Sequence, residues 1–253
     1  MIKEKMNHKQ YGLGRKPSPP DKRDYKLETY IPREALIGML VSEKTEMVWD
    51  FPNKSLDQEN TCHCCGFSMA SFGINSPTNT MYTNQDGHDF YYLCKVIDGE
   101  PFQENGSYIR SAGKVLKNEG KINAYAFAFS METIKWWLLN RGPLIVGTVW
   151  TENMFTPNEQ NIIVPTGKIV GGHAYLLNEI ITESELLGIQ NAWGEKWGKN
   201  GKAYISFDDF EKLFDYDGEV MTAVEISPTS IQKKSFWELL LEKIIDFFVN
   251  TFG

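Results

Sequence analysis

Long apolar runs are missing from this chain of 253 residues, and that absence bears first on where it works. The opening Met1-Ile2-Lys3-Glu4-Lys5-Met6-Asn7-His8 is charged where a secretory leader places an apolar core, so export by that route is not expected. Cysteine is scarce as well. Three of the four copies, at 62, 64 and 65, fall within four positions, and only Cys94 stands apart. Such crowding cannot brace separated loops as a disulfide framework, and a reducing, cytoplasmic setting is expected. Basic clusters are lacking too: 26 Lys and Arg against 33 Asp and Glu give a net charge of −7. Phosphate neutralisation needs clustered cations, so a nucleic-acid partner is not expected. No internal repeat occurs.

What is present is ordinary for a soluble globular protein, with 42% hydrophobic, 13% aromatic and 23% charged residues. The length suits one substantial core or two small lobes. Residues 1–45 carry Gly12, Gly14, Pro17, Pro19 and Pro20, which interrupt any regular pattern and predict an extended arm. Helical signals follow over 64–72, 89–97 and 107–118, the last stopped by Glu119-Gly120, and Ser130 caps a connecting helix to Asn140. Cys94 reads as a small buried hydrophobe on the second of these helices. Strand signals occupy 143–150, 174–177, 186–190, 203–207 and 223–226. The expectation is an α+β domain over 46–226, with a helical lobe over 46–130 and a sheet lobe over 131–226.

The candidate chemistry lies in three separated segments. Cys64 opens a predicted helix, where free backbone N–H groups and the helix dipole favour a thiolate. His173 follows Gly171-Gly172 at the mouth of an apolar strand, and Asn191 ends another, where its side-chain oxygen could orient an imidazole. The tryptophans beyond it, Trp193 foremost, could shield that hydrogen bond from water.

In these segments the chain resembles the papain-like cysteine peptidases, particularly compact bacterial or phage-encoded members. Gln58 precedes Cys64 by six positions, as the family's oxyanion glutamine precedes its cysteine. Gly171-Gly172-His173-Ala174, Asn191-Ala192-Trp193-Gly194 and the run from Trp197 to Ile205 match the histidine and asparagine segments. Pro19-Pro20-Asp21-Lys22-Arg23-Asp24-Tyr25 resembles an N-terminal motif of bacterial and viral members. The resemblance implies a two-lobed fold, with the cysteine on the helical lobe and the histidine and asparagine on the sheet lobe. It also implies peptide hydrolysis on peptide or protein substrates without a cofactor, by Cys64 as nucleophile, His173 as base, Asn191 as its orienter and Gln58 in the oxyanion hole.

The cysteine segment departs from the family. Cys62-His63-Cys64-Cys65-Gly66 replaces the usual Cys-Gly-Ser-Cys-Trp, and the offset from Gln58 is what selects Cys64 among the thiols. The 109 residues from Cys64 to His173 fall short of the ~130–150 of the plant and lysosomal enzymes, as trimmed loops would produce. A metal site is not expected, because adjacent ligands chelate poorly and no second Cys/His pair follows. His63 reads instead as an exposed loop residue at the cleft.

Two segments lie outside the resemblance. The arm could cover the cleft in a latent form. Residues 235–252, beyond a linker from 227, predict an amphipathic helix striped by Glu238, Glu242, Asp246 and Asn250. Its four charges, Lys243 included, argue against a membrane span, leaving packing back on the domain, a protein partner, self-association or a membrane surface. A viral or virion-associated setting fits as well as a cellular one. The competing function is an inactive scaffold or assembly component that docks through this helix.

Overall fold

The computed structural model describes residues 10–32, 34, 44–52 and 54–226. The tail and its linker lie outside them, as does all of 35–43. Among the described residues, no helix is long and apolar enough to cross a membrane.

The helical half is built on α1, Cys64–Ile74, every residue of which is buried. A helix apolar or small on all sides belongs at the centre of a protein, and this one packs against α2, Asn84–Ile97, on one side and strands β6, Ile169–Ile181, and β5, Leu144–Thr151, on the other. Helix α2 starts at a capping box in which Thr83 and Asp86 satisfy each other's backbone N–H groups. Helix α3, Ile109–Asn118, stops before Gly120, whose φ of +66° reverses the chain. These helices pack Phe67, Phe72, Leu93, Ala112 and Leu116 into one core. Cys94 is fully buried on α2, as read. Helix α4, Met131–Asn140, begins as predicted, with the Ser130 hydroxyl accepting from Thr133 N–H.

Nine strands are described: β1 Arg15–Lys16, β2 Glu46–Val48, β3 Ser107–Tyr108, β4 Ile122–Ala128, β5 Leu144–Thr151, β6 Ile169–Ile181, β7 Leu186–Gln190, β8 Lys202–Ser206 and β9 Glu219–Ile226. Seven form an antiparallel sheet in the order β4-β9-β5-β6-β7-β8, with β2 added to the end of β6. Its core gathers Trp150, Phe155, Tyr175, Trp193, Trp197 and Phe210.

Several local readings change. Residues 107 and 108 pair as a strand with the arm, so α3 begins at Ile109. Strand β4 lies in the half read as mainly helical and pairs along β9. Phe207 starts a fifth helix, α5, Phe207–Asp217, rather than ending a strand, because Ser206 accepts from Asp209 N–H and caps it.

Candidate active site

The sheet brings the histidine and asparagine segments together. His173 stands in β6 opposite Thr148 of β5, and the pairing of Leu176 with Gln190 delivers the chain out of β7 at Asn191. His173 Nε2 lies 2.9 Å from Asn191 Oδ1, which also accepts from Ala192 N–H at 2.8 Å. As an amide oxygen only accepts, Asn191 sets the imidazole with its proton on Nε2. Nδ1 has no nitrogen or oxygen partner, which leaves it to the thiol. Trp193 stacks on the imidazole at 4.3 Å between centroids, and Trp150 meets it edge-on at 4.9 Å.

Cys64 enters from the start of α1. Its thiol comes under the electrostatic influence of both His173 and Cys65. Burial is the largest influence on Cys64 and would raise it, but interaction with Cys65 and with the His173 imidazole outweighs burial and holds it well below the usual thiol range. Cys65 moves the other way, well above that range, through the neighbouring Cys64 and its own burial. Cys62 is raised by burial. Gln58 is pinned to the asparagine segment, with its N–H donating to Ala192 O at 2.9 Å.

The arm fills the space between these segments. Gly12 N–H donates to Glu59 O and Gly14 N–H to Gly172 O, beside His173, while Ser107 N–H donates to Gly14 O at 2.8 Å. Gln58 Nε2 donates to Gly12 O at 3.2 Å and to Thr61 O at 2.7 Å. Tyr11 stacks on Trp193 at 4.7 Å. Arg15 makes ion pairs of 2.7 Å with both Asp217 and Glu219. The passage is narrow, since a methyl group on Gly14 would stand 1.9 Å from Cys62 O. Under this cover Gln58, Cys64, His173 and Asn191 are each 0% exposed.

No protein-family model matches the sequence, and no curated protein does. Solved structures do match the fold. Xylellain, a cysteine protease from Xylella fastidiosa, superposes with a TM-score of 0.67 at 20% identity, over 86% of this chain and 98% of that one. The fold is papain-like. Procathepsin B S9 from Trypanosoma congolense gives 0.60 at 13% identity, over 88% and 87% of the two chains. The recombinant stem bromelain precursor gives 0.59 at 12%, over 88% and 78%.

Within this papain-like fold one site reading is corrected. His63 is 3% exposed rather than open at the cleft, because Tyr91 of α2 stacks on it at 3.8 Å. Its ring nitrogens meet His88 Nδ1 and Glu104 Oε2, each at 2.7 Å. Sequence reasoning placed Gly12 and Gly14 in an arm that could cover the cleft but named no contact for them, and it singled out neither Tyr11 nor Arg15. Gly12-Leu13-Gly14 was the available signal, two glycines flanking one apolar residue in an extended stretch.

Proposed function

We propose that the chain is a cysteine peptidase held latent by residues 11–16 of its own arm. The observation that carries the reading is the hydrogen bond from His173 to Asn191, which leaves Nδ1 for the thiol at the head of α1. With the arm displaced, the Cys64 thiolate attacks a peptide carbonyl, and the Gln58 amide and Cys64 N–H take the developing oxyanion. His173 passes its proton to the leaving amine and then draws one from the water that hydrolyses the thioester. Asn191 holds the ring in its tautomer throughout. The cysteine protease nature of xylellain and the precursor forms of cathepsin B and bromelain support both halves of the reading.

Latency rests on occupancy. The arm's Gly12 carbonyl takes the Gln58 N–H that the oxyanion would need, and Gly14 bonds to both walls. The test is a peptide-epoxide probe applied to intact protein and to protein nicked by trypsin at the exposed Arg23, followed by mapping of the labelled residue and assay on a peptide library. Label on Cys64, cleavage after nicking and none in Cys64→Ala are expected. Label on Cys62 or Cys65 would overturn the assignment of the nucleophile. Folded, nicked protein with an inert Cys64 and no cleavage would favour the scaffold.

A further inference from the structure

We propose that Cys62, His63 and Glu104 bind one zinc-class divalent cation beside, and separate from, the Cys64–His173 pair. The sequence argues against a metal because it offers adjacent ligands and no second pair, but folding supplies what the spacing lacks. Glu104 arrives from the loop before β3, and His88 from α2. The Cys62 sulfur, a His63 ring nitrogen and a Glu104 carboxylate oxygen all lie within 4.8 Å of one another. Cys62 Sγ stands 3.6 Å from Glu104 Oε2, and His63 Nε2 stands 2.7 Å from the same oxygen. Tetrahedral zinc, with bonds of ~2.0–2.3 Å, sets its ligand atoms about 3.3–3.8 Å apart. The sulfur–oxygen edge already has that length. The nitrogen–oxygen edge must open by under about 1 Å, and the Glu104 side chain, 55% exposed, is free to make that movement.

The surroundings are those of a ligand set. An imidazole that binds a metal through one nitrogen is ordinarily held through the other, and His63 Nδ1 meets His88 Nδ1 at 2.7 Å. The Tyr91 ring fixes the plane of His63 from beneath, and its hydroxyl reaches Cys62 Sγ at 3.2 Å. With its proton displaced by the metal, Cys62 would join the Glu104 carboxylate and a neutral imidazole to give two negative charges, which a divalent cation neutralises. Thiolate with imidazole selects zinc or cobalt over magnesium or calcium. Half-buried Cys62 leaves an open side for entry.

The test uses full-length, reduced protein carrying Cys64→Ala, so that the proposed catalytic thiol cannot contribute. Titration with Co²⁺ should give a thiolate-to-cobalt absorption that saturates at one ion per chain and is displaced by Zn²⁺. Adding Cys62→Ser should abolish it. His88→Ala, which removes the partner of the His63 ring and no proposed ligand, should weaken binding by about 10–100-fold. No thiolate band in Cys64→Ala, or a band that survives Cys62→Ser, overturns the site. Glu104→Gln changes an exposed residue and keeps the fold, and cobalt affinity unaltered by it would overturn the site equally.

Discussion

Gln58 holds its side-chain amide between two carbonyls, one from Thr61 and one from the arm. Once the arm is nicked, Gln58→Ala should lower kcat by about 10²–10³-fold, the usual loss for one oxyanion donor, with little change in KM. An equal fall in a form with normal thiol labelling would tie the loss to the transition state. Trp193 covers the His173–Asn191 bond and fills the sheet core, so Trp193→Ala should cost about 3–5 kcal/mol in urea denaturation. Unchanged stability would mean that the ring is not needed for packing. That His173 and Asn191 would meet was legible, because each lies in an apolar strand or at its end, in a short, distinctive segment. The burial of His63 was not, since the aromatic residues that cover it come from α2 and nothing in its own neighbours announces them.

At the scale of elements, legibility followed the strength of the local pattern. Strand β7 matches the expected 186–190, and α4 starts where Ser130 predicts. Strand β6 runs to thirteen residues because the glycine pair continues the pairing with β5 past His173. Helix α5 was readable in principle: Ser206 with Asp209 three positions on, followed by Phe210 and Leu213, is a cap and an apolar face. The arm was expected to be able to cover the cleft, but beyond Gly12-Leu13-Gly14 nothing in it pointed to its contacts, because its partners lie in both halves of the chain. Gly14→Val should expel it, as the added carbons meet Cys62 O, and should raise kcat/KM of the intact protein by about tenfold or more, a shift of about 1.4 kcal/mol. Unchanged activity in a folded variant would remove the latency.

Across the whole molecule, one charged cluster joins the arm to the helical half. Lys95, fully buried, donates to Glu100 at 2.6 Å, Asn105 at 2.7 Å and Gly106 O at 2.9 Å, while Lys16 of the arm reaches Glu100 at 2.8 Å. Hydrogen bonds from Lys16 and Lys95 hold the Glu100 carboxyl down at about 2, against 4.5 unperturbed. A depressed carboxylate contributes stability that is fully present above its unfolded value and lost as pH falls through its folded one. Thermal midpoints should therefore fall from about pH 4.5 towards 2, more steeply than in Glu100→Gln. Parallel curves for the two proteins would show that the cluster contributes nothing.

The threading of Gly12 and Gly14 between the two walls has a kinetic consequence. A blocking peptide that is part of the same chain never leaves the vicinity of the cleft, and faces incoming substrate at a local concentration on the order of millimolar. On the proposed reading, substrate would have to outcompete a neighbour that returns each time it is displaced. One cut in the exposed stretch around Lys22 and Arg23 would turn that neighbour into a separate molecule, diluted into the surroundings and free to diffuse away. Activation of this kind runs in one direction.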